Sequence, residues 1–100
     1  MPFSQPFPRS FNASSVREHA PILPGVYGIS NASEWIYIGE GENIQEALLE
    51  HLQKSTTPLL ASRPTGFVFE VCNWTSRQSR RDRLILEYAP TFDRDWSRQP

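Results

Sequence analysis

The sequence predicts one small α+β domain with elements in the order strand, strand, helix, short helix, strand, helix. Three observations carry that expectation. Two runs of aromatic and β-branched residues, Val26–Ser30 and Trp35–Gly39, flank a Ser-Asn-Ala-Ser segment, the composition of an antiparallel hairpin and its turn. Between Ile44 and Gln53 the apolar residues return with helical period. A third apolar run, Phe67–Cys72, is followed by hydroxyl residues that can cap a helix ending before Pro90.

One hundred residues with 38% hydrophobic content fit a single core, because two cores would each bury too little apolar surface. The excess of proline lies toward the ends. Residues 1–10 combine Pro2, Pro6 and Pro8 with Phe3 and Phe7, a composition that favours extended chain, and are expected to form a mobile arm. The domain is expected over residues 11–93, and the polar stretch 94–100 as a frayed tail.

Ser15-Val-Arg-Glu18 reads as a capping box for a short helical turn on which Phe11 can pack, ended by Pro21 and Pro24. In the hairpin that follows, alternation puts Tyr27 with Ile29 on one face of the first strand. It puts Trp35, Tyr37 and Gly39 on one face of the second. Whether the two tyrosines share a side depends on the strand register.

Gly39-Glu-Gly41 breaks the second strand, and Asn43 is a good N-cap for a helix over 44–53. At about 100° per residue, Ile44, Ala47, Leu48, His51 and Leu52 form one stripe, opposite Glu46, Glu50 and Gln53. His51 is therefore expected to face inward. A further helical piece is expected around Pro58–Ser62, and Pro64-Thr-Gly66 turns into Phe67–Cys72, apolar enough on both faces to suggest a central strand. Thr75 or Ser76 can cap the last helix, which carries Arg77, Arg81, Leu84, Ile85 and Tyr88 on one stripe.

A formal charge of -1 excludes a polybasic protein, so any nucleic-acid contact needs a local patch. The charge is uneven. Residues 31–60 set Lys54 against Glu34, Glu40, Glu42, Glu46 and Glu50, whereas Arg77, Arg80, Arg81 and Arg83 form one basic cluster. That cluster is either a track for a phosphate backbone or an ordinary solvated helix face. Cys72 is the only cysteine, which excludes an internal disulfide and a zinc site built on paired cysteines and suits a reducing, cytoplasmic setting. No stretch approaches the roughly 18 apolar residues of a membrane span, so no membrane partner is expected. Three sequons, at Asn12, Asn31 and Asn73, lack a secretory signal and are attributed to chance.

Pro24-Gly-Val-Tyr27, Tyr37-Ile-Gly39, Asn43-Ile44, Leu48 and His51-Leu52 together resemble the GIY-YIG endonuclease superfamily, the fold of homing endonucleases and of the excision-repair incision subunit. The likeness covers about residues 21–93. It implies a three-stranded antiparallel sheet flanked by helices, in the order read above. It also implies that two tyrosines and a helix histidine surround the scissile phosphate, that an arginine one turn before the histidine steadies it, and that a glutamate on the last helix binds one divalent metal.

By that resemblance Tyr27, Tyr37 and His51 hold the family positions. The arginine position is Ala47. Counting back from Pro90, the metal glutamate falls at Arg81, the asparagine often found three residues after that proline is Asp93, and Gly41 stands where a small hydroxyl residue is common. Phosphodiester cleavage needs a positive clamp on the nonbridging oxygens and an activated water. Losing one such electrostatic partner costs about 3 kcal/mol, on the order of 100-fold in rate. A guanidinium cannot ligate magnesium, and Arg81 is expected to take the ion's place beside the tyrosine hydroxyls or His51. Asp82 and Glu87, turned about 100° and about 120° from Arg81, are expected in water. Glu40, Glu42, Glu46 and Glu50 are expected to ring the site's entrance and to repel a duplex.

The ordinary alternative for Tyr27 and Tyr37 is a pair of strand tyrosines filling the sheet surface, and for His51 a satisfied core histidine. Gly25 and Gly39 are expected to serve backbone geometry, and Trp35 and Trp74 to be core or hairpin cover. The expectation is thus a GIY-YIG-like domain without catalysis or cofactor, with Arg77, Arg80 and Arg81 as candidate nucleic-acid contacts and a nucleic acid or a protein as partner. The alternative is an active, magnesium-dependent endonuclease with rearranged ligands.

Overall fold

The computed structural model describes residues 8–32, 34–53, 64–73, 75–88 and 90. The elements run β1 (Arg9–Ser10), α1 (Ala13–His19), β2 (Gly25–Ser30), β3 (Trp35–Gly41), α2 (Ile44–Gln53), β4 (Gly66–Val71) and α3 (Arg77–Tyr88). The strands form one antiparallel sheet in the order β1-β4-β2-β3. The predicted α+β architecture is therefore present, with a two-residue strand added at its edge. That strand comes from the stretch assigned to the arm, where Arg9 pairs with Phe67 and Ser10 with Gly66. The expected helix around 58–62, Trp74, Asp93, the first seven residues and the tail lie outside the described residues.

Both β4, the third apolar run, and β2 are interior strands, and β2 is the more fully enclosed of the two. Every residue of β2 is buried, while β4 grades from buried at Gly66 to exposed at Val71. β2 has a long partner on each side, whereas β1 covers only the first two residues of β4.

Alternation along β2 divides the core in two. On one face Ile29, Ile36, Phe67, Ile44 and Leu48 pack with Val16 of α1 and Phe11. On the other, Val26, Ile38 and Val68 meet Leu84 of α3, with Trp35, Ile85 and Tyr88 around them. Helices α1 and α2 thus cover one face and α3 the other. Trp35 departs from the expected face. The register passes from Ile29↔Tyr37 to Ser30↔Trp35, so Ile36 is an extra residue in β3. Such a bulge resets the alternation, and it sends Trp35 to the α3 side, 4.6 Å from the Tyr88 ring between centroids, while Tyr37 stays opposite.

The starts of α1 and α2 are fixed by asparagine. The cap of α1 is Asn12, whose side chain accepts from the Ser15 amide at 2.9 Å, so the Ser15/Glu18 capping box is not the one used. Asn12 wins because a cap needs extended backbone, which it has at φ -146°, while Ser15 already lies inside the helix. Asn43 accepts in the same way from Glu46 at 3.0 Å, while Asn73 accepts from Ser76 at 3.0 Å in the turn ahead of α3, where Ser76 directly precedes the helix as expected and its carbonyl accepts from Arg80; Asn31 accepts from Glu34 in the hairpin turn at 2.9 Å. All four asparagines of the chain therefore serve a backbone amide three residues on.

Helices α1 and α2 complete one another's ends. Gln45 of α2 donates from Nε2 to the carbonyls of Arg17 and Ala20, at 3.2 and 3.1 Å. In return the Leu23 and Pro21 carbonyls accept from the amides of Ile44 and Gln45, at 3.0 and 3.1 Å. These bonds satisfy orphan groups that helix ends otherwise leave to water. Replacing Asn12 by Ala should destabilise the fold by about 1 kcal/mol, and replacing it by Ser should restore most of that. Urea denaturation measures both, and an unchanged midpoint for Asn12→Ala would show that α1 does not depend on this cap.

Candidate functional site

The β2–β3 register settles what alternation left open. Tyr27 lies opposite Gly39 and Ile29 opposite Tyr37, so both tyrosines face α1 and α2. Their ring centroids are 6.1 Å apart. His51, one turn beyond Leu48 on the inward stripe of α2, completes the group with centroids 5.7 Å from Tyr27 and 5.3 Å from Tyr37. The Tyr27 hydroxyl and His51 Nε2 are hydrogen-bonded at 2.8 Å. Tyr27 and Tyr37 are only 3% and 4% exposed, so both belong to the core as well as to the cluster.

Gly39 makes this packing possible. A β-carbon there would stand 2.7 Å from the Tyr27 hydroxyl oxygen, 2.8 Å from its Cζ and 2.7 Å from Tyr37 Cε2. The glycine is thus required by the two side chains it carries, not by backbone conformation as the sequence suggested. Gly25 is held by backbone proximity: a β-carbon would lie 2.3 Å from the Glu70 carbonyl oxygen and 2.7 Å from Ile44 Cδ1.

The charged positions do not converge on this cluster. Ala47 sits half-buried on α2 against the core. Arg81 does not reach the tyrosines or His51. Its Nε and Nη2 donate to Asp82 Oδ1 at 3.3 and 3.1 Å. Asp82 and Glu87 are exposed. Among the described residues no three His, Cys, Asp or Glu side chains gather where they could hold a metal ion. Magnesium asks for oxygen ligands, carboxylates above all, and a site of two tyrosines, one histidine and Ala47 does not fit it.

No protein-family model matches the chain. It is 33% identical over 73 residues to UvrABC system protein C of Hydrogenobaculum sp. (strain Y04AAS1), a match that takes in 70% of this chain and 12% of that protein. The GIY-YIG N-terminal endonuclease domain of UvrC from Thermotoga maritima, bound to its catalytic divalent cation, magnesium, aligns at a TM-score of 0.65. The two are 26% identical, over 76% of this chain and 92% of that one. A point mutant of the same domain aligns at 0.64, with 26% identity over 76% and 91% of the two chains. This chain is a GIY-YIG domain. It spans 12% of the length of the UvrC relative it matches.

In this GIY-YIG domain the basic cluster is largely spent within the fold. Arg77 pairs through Nε with Glu40, and Arg80 donates from Nε and Nη2 to both carboxylate oxygens of Glu70, at 2.7 and 2.8 Å. Glu40, Val26 and Glu70 form one row across three strands. The two arginines, three residues apart on α3, therefore straddle β2 and fasten the helix to its neighbours. Their side chains are 14% and 16% exposed, which excludes a freely solvated face at these positions. Arg83 remains exposed. The hydrogen bond with Glu70 raises the Arg80 pKa above its ordinary value. Burial, with Glu70 adding to it, raises that of the nearby Cys72 thiol, which keeps it protonated and a poor nucleophile at neutral pH.

Glu40 thus lies on the α3 face beside Arg77 and does not ring the tyrosine side, whereas Glu42, Glu46 and Glu50 are exposed. The two glutamate partners of the arginines were missed by sequence reasoning. The available signal was Glu70, a single charge inside Phe-Val-Phe-Glu-Val, where burial requires a partner.

Two outcomes follow from this geometry. Gly39→Ala should destabilise the domain by about 1 to 3 kcal/mol through overpacking and displace the Tyr27 and Tyr37 ring resonances. A variant with native stability and unshifted rings would show that the site can absorb a methyl group. In a double-mutant cycle of Arg80→Ala and Glu70→Ala, the coupling should be about 1.5 kcal/mol or more, and a coupling near zero would remove the clamp from the account.

Proposed function

We propose that this GIY-YIG domain keeps the nuclease scaffold and its tyrosine–histidine cluster without hydrolysing phosphodiester bonds, and that it acts by binding, in a regulatory role. The observation that carries the reading is the chemistry of the two replaced positions. Ala47 supplies no positive charge to a phosphate oxygen, and Arg81, at the position that the family resemblance assigns to a metal ligand, is a guanidinium bonded to Asp82. A cation there opposes the binding of a second cation. The burial of both tyrosines supports the same reading, because their ring packing explains their presence without catalysis. A reducing, cytoplasmic setting belongs to this reading, consistent with Cys72 as the chain's single cysteine, and no described helix is long and apolar enough to cross a membrane.

The Tyr27–His51 hydrogen bond favours the second reading, an active endonuclease with rearranged ligands, since it joins two of the retained family positions. A plasmid-nicking assay in magnesium and in manganese separates the two. The unmodified chain should leave supercoiled plasmid intact. Nicking that disappears in Tyr37→Phe would establish the enzyme and sink the binding reading. Ala47→Arg combined with Arg81→Glu should yield nicking that neither substitution yields alone, because both missing charges are restored together.

A further inference from the structure

Of the four large apolar side chains exposed among the described residues, Leu86 stands alone on α3 at 85% exposure, and the other three gather. Ile22 is 68% exposed, Leu23 48% and Val71 49%, and the backbone brings all three to one end of the sheet. Val71 pairs with Gly25, and the Cys72 amide donates to the Pro24 carbonyl at 3.1 Å. Leu23 is tied through its carbonyl to the first amide of α2. The loop 21–24 is therefore rigid, held between Pro21 and Pro24 and bonded at both flanks, yet it presents Ile22 and Leu23 to solvent. An ordered loop that holds large apolar groups outward bears the mark of a preorganised contact surface.

Its charge surroundings define the occupant. Glu42 and Glu46 stand two residues either side of Ile44, the residue bonded to Leu23, and both are exposed, with no ion pair to another described residue. The amides of Ile44, Gln45 and Glu46 are already satisfied by Leu23, Pro21 and Asn43, so this helix start offers an anion nothing. Phosphate is repelled from such a face, whereas apolar side chains flanked by lysine or arginine meet both of its properties.

We infer that Ile22, Leu23 and Val71, rimmed by Glu42 and Glu46, form a docking surface for a partner protein that presents a basic amphipathic segment. This rests on the binding role proposed above. The probe is a synthetic amphipathic peptide of leucine and lysine at helical spacing, titrated against the full chain by fluorescence anisotropy, with a leucine and glutamate peptide of the same pattern as control. The lysine peptide should bind with saturation and the glutamate peptide should not. Ile22→Ser with Leu23→Ser should weaken binding about tenfold. Glu42→Gln with Glu46→Gln should weaken it and flatten its salt dependence.

These side chains are exposed, so thermal midpoints should stay native, and a native midpoint with undiminished binding in the serine variant overturns the inference. Equal binding of the glutamate peptide, displacement by a single-stranded oligonucleotide, or self-association abolished by the serine variant would each overturn it too. Nicking measured on the same preparation keeps the two proposals apart, because hydrolysis sinks the non-catalytic reading while failed peptide binding sinks only the docking surface.

Discussion

Tyr27 lies across Gly39 in the sheet, and position 39 can take no β-carbon without meeting two tyrosine rings. That steric constraint organises the face on which α1 and α2 rest. It sets Tyr27 beside Tyr37, brings His51 within hydrogen-bonding distance, and leaves both rings almost wholly buried. A glycine between two aromatic residues of neighbouring strands is therefore a packing element before it is anything else. A retained motif and a retained reaction are consequently separable here. The residues that pack would persist for stability alone, while those that only carry charge to the substrate could be exchanged at little structural cost.

The opposite face rests on charge. Buried ion pairs seldom stabilise a fold more than apolar packing would, but they do fix geometry. Arg77 and Arg80 grip glutamates on both sides of β2, which defines the position of α3 along and across the sheet in a way that Leu84 alone could not. The same contacts withdraw two cations from the surface. A basic run in a sequence thus becomes, in the folded chain, an internal fastening with Arg83 left exposed.

Local signals carried much of this architecture. The hairpin, the helix over 44–53 with its Asn43 cap, the inward stripe ending in His51 and the last helix all follow from period, turn chemistry and caps, which act within a few residues. What sequence could not supply depends on contacts between distant segments. The bulge at Ile36 reverses the side of Trp35, and nothing in Trp-Ile-Tyr-Ile marks where alternation will slip. The arginine partners lie 37 and 10 residues away. The edge strand at Arg9–Ser10 exists because Phe67 and Gly66 offer it a partner. At the cluster, residue identity indicated the three family positions, yet only the register could bring the tyrosines to one side.

Taken together, the two faces leave little free positive charge among the described residues near either cluster, while α2 presents carboxylates beside an exposed apolar corner. Surface chemistry selects partners through what is left unpaired after folding. Arg77 and Arg80 are held within the fold, and Glu42 and Glu46 stand exposed next to Ile22 and Leu23. The packing around Gly39 and the charge on the surface are therefore set by different residues, and either can change while the other stays in place.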